Sequence, residues 1–288
     1  MNVTQRTKTI IDHMRPENHK KFCLVSGATG GIGGVVTKRL WSEGYSILAL
    51  GQSGAKLQVL NEWFCKHLNT QYKQTYFTVA MSFPDADFSR LDTYIQLHTQ
   101  LGGTVDALVV CHGAPPEPIV AMDCLSVVQR LYEVDVLSTL RLCQTAGRYM
   151  IDQRHGSITL LSSIHAHQTY PERLPYVLSK TAVCGMARAL AVEWGQYNIT
   201  VNSISPWQTS GGRTDTVAAQ EYASTGANTL GAYKRKSPLH RLVRPEDIAE
   251  TVVWLAKNQS ITGQDIVIDG GVTASAWHKP YTENISHA

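Results

Sequence analysis

Apolar segments of two kinds alternate along this chain, and that alternation constrains its fold more than any other feature. Short runs at 22–26, 46–50, 76–80, 107–111, 157–161, 199–204 and 265–268 read as strands. Segments 32–43, 56–68, 88–101, 126–153 and 175–194 read as helices, with apolar side chains three and four positions apart. In 32–43 the stripe is Ile32, Val35, Val36 and Leu40; in 175–194 it is Val183, Met186, Ala187, Leu190, Ala191 and Trp194. A further helix opens at Pro245-Glu246-Asp247, where proline suits the first turn and the acidic pair suits its positive end. The run 107–111 is apolar throughout, as expected of a strand covered on both faces. Such alternation predicts an α/β architecture, a parallel sheet with helices packed on both sides.

The 288 residues suffice for one or two domains. No linker rich in proline, glycine or serine divides them. Residues 21–274 therefore read as one domain between an N-terminal extension, 1–20, and a C-terminal tail, 275–288. Segment 207–236 breaks the rhythm. It is rich in Thr, Gly, Ser, Gln and Ala, and reads as a loop-like excursion that forms a lid. Apolar residues make up 43% and charged residues 17%, a balance that excludes general disorder. A net charge of +3 is too weak to argue for nucleic acid. No apolar stretch reaches the roughly 18 residues of a membrane span. Residues 1–21 lack the apolar centre of an export signal, so the cytoplasm is the expected compartment. The six cysteines form no C-x-x-C pair and keep no metal-ligand spacing with histidine, so no metal is expected. Cys23, Cys111, Cys143 and Cys184 lie in apolar runs and read as small buried hydrophobes.

Between the first strand and the first helix lies Ser26-Gly27-Ala28-Thr29-Gly30-Gly31-Ile32-Gly33. Glycines there permit a tight turn and close backbone approach. The helix start then offers free N–H groups and a partial positive charge to a pyrophosphate. Later, Tyr176-Val177-Leu178-Ser179-Lys180 places a tyrosine and a lysine four apart, on one helical face. A phenol with a pKa of about 10 is a poor acid or base at neutral pH. A nearby ammonium favours the phenolate and makes the tyrosine useful in proton transfer.

These motifs resemble those of the short-chain dehydrogenases/reductases. That family carries T-G-x-x-x-G-[IL]-G at the turn, and Ser26 stands here for its threonine. Asp106 through Gly113 resembles its D-x-L-V-N-N-A-G segment. Arg244 through Ala249, Thr262-Gly263-Gln264-Asp265 and Asp269-Gly270-Gly271 resemble its C-terminal signatures. The resemblance spans 22–271 and is nearest to 3-oxoacyl-carrier-protein reductases and sugar or polyol dehydrogenases. It implies a single Rossmann-type, doubly wound parallel sheet of about seven strands with a substrate lid. It also implies hydride transfer between a nicotinamide and a carbonyl or secondary alcohol of a small molecule, most simply as a ketoreductase. The implied catalytic residues are Ser163, Tyr176, Lys180 and Asp135. Ser163 lies thirteen positions before Tyr176, the family distance, which Ser162 fits one residue worse. The implied cofactor contacts are Ser26, Gly27, Thr29, Gly30, Gly31, Ile32, Gly33, Gln52, Ser53, Cys111, His112, Gly113, Pro206, Trp207 and Thr209, with Tyr176 and Lys180. His165, Trp207 and Arg213 are the expected substrate-pocket residues. Relatives commonly form dimers or tetramers, so a homo-oligomer is expected.

Several departures sharpen these expectations. Asp135 stands where the family has an asparagine whose backbone carbonyl holds a water linked to the lysine. A carboxylate there would hold Lys180 more firmly charged and compete for that water. Val110-Cys111-His112-Gly113 replaces N-N-A-G, and Pro206-Trp207 replaces Pro-Gly. Gly51 occupies the place where NAD-preferring relatives carry an aspartate. Gln52, Ser53 and Lys56 nearby present no carboxylate to repel a 2′-phosphate, so NADP(H) is expected over NAD(H). Arg213, Lys234, Arg235 and Lys236 in the lid segment read as a solvated basic loop edge or, alternatively, as a surface that attracts an anionic substrate. Two alternatives compete: a cofactor-binding sensor or scaffold that does no chemistry, suggested by Asp135 and the Cys111-His112 segment, and a sugar-nucleotide epimerase or dehydratase. The latter's G-x-x-G-x-x-G spacing is not that of Gly27, Gly31 and Gly33.

Overall fold

The seven apolar runs pair as strands. In the computed structural model, which describes residues 21–68, 74–84, 86–116 and 118–275, they are β1 (Lys21–Ser26), β2 (Ser46–Gly51), β3 (Tyr76–Ala80), β4 (Thr104–Val110), β5 (Gly156–Leu161), β6 (Ile199–Pro206) and β7 (Asp265–Ile268). Every adjacent pair is parallel. The helices between them are α1 (Gly31–Ser42), α2 (Gly54–Lys66), α3 (Ser89–Gln100), α4 (Leu125–Leu131), α5 (Ser138–Gln153), α6 (Leu174–Trp194), α7 (Arg213–Thr225), α8 (Thr229–Lys236) and α9 (Pro245–Lys257). The expected extension, 1–20, and all of the expected tail but Ser275 lie outside the described residues.

Strand side chains alternate between two cores, as a period of two requires. Phe22 and Leu24 of β1 join Leu91 and Ile95 of α3, Leu142 and Met150 of α5, and Val183 and Ala187 of α6. Cys23 and Val25 of the same strand face the other way, onto Val36 and Leu40 of α1, Phe64 of α2, and Ile248 and Val252 of α9. At about 25 cal/mol per Å² of apolar surface removed from water, these two cores supply the main drive to fold.

The sheet order is β3-β2-β1-β4-β5-β6-β7. The chain runs outward from β1 in one direction, then returns to lay β4 on the opposite side of β1. The connections after β1 and β4 therefore leave the sheet in opposite directions, and a crevice opens between them where ligands bind in such sheets. The two turns touch at that point. Gly27 has φ +66°, and a Cβ there would lie 2.6 Å from the His112 backbone nitrogen. Only glycine meets both demands.

Two local features depart from the sequence reading. The single long helix expected over 126–153 contains a π-helical stretch, Tyr132–Leu137, between α4 and α5. Such stretches add a residue to the turn and commonly occur at functional sites. Here it carries Asp135, whose side chain is buried. Segment 207–236 is not a loop throughout, since it contains α7 and α8. Polar side chains gave no strong apolar stripe to read. Asn228 caps α8 by accepting the Gly231 N–H at 2.9 Å.

Candidate active site

The crevice is a cleft of about 260 Å³ with two chemically different ends. One end is backbone: Gly30, Gly31, Ile32 and Gly33 at the start of α1. The N-cap residue is Gly30, which supplies no side-chain cap, so the first-turn N–H groups keep their capacity to bind an anion. A Cβ on Gly33 would stand 2.1 Å from the Gly27 carbonyl oxygen, so the turn closes only around glycine. The Gly211-Gly212 backbone comes down onto this turn, and a Cβ on Gly31 would lie 3.2 Å from the Gly212 Cα.

The other end holds Ser163, Tyr176 and Lys180. Ser163 follows β5, and its Oγ accepts the His165 N–H at 3.3 Å. Ser162 points elsewhere. Its hydroxyl donates to the Lys180 carbonyl at 2.9 Å, tying the end of β5 to α6. On α6, Tyr176 and Lys180 sit one turn apart, with the Lys180 Nζ 5.5 Å from the Tyr176 ring centroid. The edge of His165 meets the Tyr176 ring at 5.6 Å between centroids.

Asp135 reaches Lys180 with its side chain. The Lys180 Nζ lies 3.4 Å from Asp135 Oδ2, and both side chains are almost fully buried. Burial alone pushes the ammonium pKa down, but the neighbouring Asp135 carboxylate and Tyr176 outweigh it, and the net shift is upward. The carboxylate is held from several sides. Oδ1 accepts the Ala114 N–H at 2.7 Å, and Oδ2 accepts the Ser179 hydroxyl at 2.9 Å. The Asp135 backbone carbonyl accepts the Thr139 hydroxyl at 2.7 Å. Gly113 completes the enclosure, since a Cβ there would stand 2.9 Å from Lys180 Nζ. Sequence reasoning missed Ser179. It lies inside the quoted motif, but only the helix geometry turns its hydroxyl onto Asp135.

His112 lines the cleft, yet both of its ring nitrogens are engaged. Nδ1 meets Ser26 Oγ at 2.7 Å, and Nε2 meets Ser138 Oγ at 2.6 Å. The ring stacks on Phe83 at 4.1 Å. Its side chain thus braces the β4 turn against β1 and the π-helical segment. Burial pushes its pKa down to about 4. Burial, with Arg173 nearby, does the same to His165, also to about 4. Both rings are therefore neutral in the folded protein where an unfolded histidine near 6.5 already takes up a proton. The unfolded state binds more protons as pH falls from 6.5 towards 4, so stability drops across that window. Equilibrium urea unfolding at stepped pH values is expected to show this acid slope, and His165→Gln to flatten it. An unchanged slope would refute the assignment.

The remaining expected residues divide by position. Cys111, Gly113, Pro206, Trp207, Thr209, His165 and Arg213 line the cleft. Arg213 reaches over it, donating to the Gly113 carbonyl at 3.4 Å. Trp207 is also core, packing edge-on against Tyr233 at 6.1 Å. Thr209 turns its hydroxyl to the Trp207 carbonyl at 3.0 Å. Ser26, Gly27, Thr29, Gln52 and Ser53 are not among the residues lining the cleft. Ser26 is fully buried, Gln52 donates to Ser82 Oγ at 3.2 Å, and Ser53 caps α2 by accepting the Lys56 N–H.

The sequence profile of the family described as enoyl-(acyl carrier protein) reductase matches residues 27–273. The chain belongs to the short-chain dehydrogenase/reductase superfamily. It is 28% identical over 254 residues to carbonyl reductase family member 4 of Xenopus tropicalis, covering 88% of this chain and 98% of the relative. It is equally 28% identical over 254 residues to the 3-oxoacyl-[acyl-carrier-protein] reductase FabG of Thermotoga maritima, covering 88% and 97%. A solved variant of actinorhodin polyketide ketoreductase with NADPH superposes with a TM-score of 0.77 at 20% identity, over 89% of this chain and 98% of that one. At that identity the likeness is one of fold. As a superfamily member whose relatives are named reductases and dehydrogenases, this short-chain dehydrogenase/reductase is an oxidoreductase of the CH–OH/C=O class.

Proposed function

We propose that this short-chain dehydrogenase/reductase is an NADP(H)-dependent ketoreductase acting on a small-molecule carbonyl or secondary alcohol. One observation carries the reading: a single cleft joins the bare backbone of Gly30–Gly33 to Ser163, Tyr176 and Lys180. The uncapped start of α1 fits a pyrophosphate, and the glycines leave room for it to approach the backbone. Pro206, Trp207 and Thr209 would hold the far end of the cofactor. When bound, the nicotinamide supplies the hydride chemistry. Tyr176 gives its hydroxyl proton to the oxygen of a carbonyl substrate and takes one from an alcohol in the reverse direction. Lys180 stabilises the phenolate that this leaves. Ser163 hydrogen-bonds the same substrate oxygen and orients it. Asp135 positions Lys180.

The preference for NADP(H) rests on the residues after β2. Gly51 offers no carboxylate, and its position is closed to one, because a Cβ there would lie 2.9 Å from Thr29 Oγ1. Arg213 at the cleft and the basic end of α8 favour anionic substrates. We read residues 21–274 as one catalytic domain with 207–236 as its lid. We also place the protein in a homo-oligomer of two or four copies.

Fluorescence titration with NADPH and NADH, followed by turnover on anionic and neutral ketones, tests this reading. NADPH should bind at least about tenfold tighter, a difference of about 1.4 kcal/mol, and ketone reduction should follow. Tighter binding of NADH would reject the cofactor preference. Tight NADPH binding without turnover would favour the sensor or scaffold.

A further inference from the structure

We infer that His167, Cys184 and Asp265 form a binding site for a thiophilic divalent cation of the zinc class. The three come from separate elements: the turn after β5, the middle of α6 and the first residue of β7. His167 Nε2 lies 2.5 Å from Asp265 Oδ2, and the three ligand atoms all lie within 4.8 Å of one another. Imidazole nitrogen, thiolate sulfur and carboxylate oxygen are the donor types zinc takes, and three protein ligands leave a fourth position for water. Tetrahedral bonds of about 2.0–2.3 Å need ligand atoms roughly 3.3–3.6 Å apart. A cation would therefore part the His167–Asp265 hydrogen bond by about an ångström and draw the thiol in, within reach of side-chain rotation.

The surroundings fit a ligand set. The Ser203 hydroxyl donates to Asp265 Oδ1, which orients the carboxylate and leaves Oδ2 towards His167. Hydrogen bonds that orient a ligating carboxylate in this way are usual around metal ions. Cys184 is only 3% exposed, and the hydroxyls of Ser162, Ser203 and Ser205 surround its sulfur. Ser205 Oγ is buried there without a hydrogen-bond partner. This is not the apolar setting that the sequence implies for Cys184. His167 stands at the surface with its side chain 40% exposed, which gives an ion a way in. Binding is an acid–base step only: the thiol proton leaves to solvent and the sulfur lone pair goes to the cation, with no change of oxidation state.

The site lies close to the proposed catalytic residues without sharing any of them. Cys184 is one helical turn beyond Lys180, and His167 is four residues beyond Ser163. The Cys184 thiol donates to Ser162 Oγ at 3.1 Å, and Ser162 in turn holds the Lys180 carbonyl. A cation here would clamp the turn after β5, α6 and β7 together. The wide sequence spacing of the three ligands explains why no metal was expected from the sequence.

The full-length protein, stripped with a chelator, should be titrated with Co²⁺ and followed by near-ultraviolet absorption. One equivalent should bind with a thiolate-to-cobalt charge-transfer band, and Zn²⁺ should displace it and raise the Tm. Cys184→Ser should abolish the band, and His167→Ala should weaken binding at least about tenfold. Cys65→Ser should bind like the parent protein, which controls for the exposed thiol. No band, a band that survives Cys184→Ser, or a band lost with Cys65→Ser would overturn the proposal. Should Cys184→Ser not fold, unchanged affinity in His167→Ala overturns it alone. The titration uses neither cofactor nor ketone, so its outcome is separate from that of the proposed reaction.

Discussion

Tyr176→Phe is expected to lower kcat by roughly 10²- to 10⁴-fold, the usual contribution of a positioned proton donor. The substitution removes one oxygen from the end of the cleft and leaves the glycine turn untouched. NADPH affinity should therefore change by less than about threefold, and the Tm hardly at all. Helix α6 keeps its packing, because Val183, Ala187, Leu190 and Ala191 carry the buried face. Steady-state kinetics beside a cofactor titration reads both quantities. Retained turnover would refute the proton-transfer role, since the neighbouring Ser163 hydroxyl is too weak an acid to replace a phenol.

Asp135→Ala is expected to destabilise the fold by about 3–5 kcal/mol, the cost of leaving a buried charge without its partner. Lys180 is 5% exposed, so little water stands ready to replace the carboxylate beside its ammonium. The same change strands the Ala114 N–H and leaves the Ser179 hydroxyl only the Tyr176 carbonyl at 3.1 Å. Asp135→Asn keeps one acceptor oxygen and should cost less. The pH dependence has a definite sign. The Lys180 pKa is raised above the ordinary 10.5 of lysine. Its contribution is therefore complete below 10.5 and is lost as pH rises through the folded-state value. Denaturation at stepped alkaline pH should show that loss in the parent protein and a flatter profile in Asp135→Asn. Equal stability of parent and Asp135→Ala would remove the ion pair as a structural element.

Much of this was legible along the chain because the relevant signals are local. A run of apolar residues bounded by glycine, or a stripe at helical spacing, is set by neighbours within a few positions. All seven strands and the helices of both sheet faces could be read on that basis. Segment 207–236 could not, because α7 and α8 bury few apolar side chains, and α8 leans on the Asn228 cap. The π-helical stretch at Tyr132–Leu137 was also hidden, since one extra residue per turn barely disturbs a helical stripe.

The candidate site divides along the same line. The glycine turn and the Tyr176–Lys180 pair lie within single turns of chain, so sequence spacing alone sets their geometry. Ser163 was separable from Ser162 only by family distance; in the structure the Ser162 hydroxyl is committed to the Lys180 carbonyl. His112 read equally as a ligand contact or a packed loop residue; it lines the cleft, and its ring is held by Ser26 and Ser138, from segments far apart in the chain.

By itself, the sequence determined the architecture, the glycine turn after β1 and the pairing of Tyr176 with Lys180 on one helical face, because periodicity and short spacings encode them directly; Ser163 came only from the family distance. Only the tertiary structure decided that the Asp135 carboxylate meets Lys180, that Gly212 closes on Gly31, and that His167, Cys184 and Asp265 converge. Those contacts join residues tens to hundreds of positions apart. Their existence depends on the order of strands in the sheet, which no local pattern of side chains specifies.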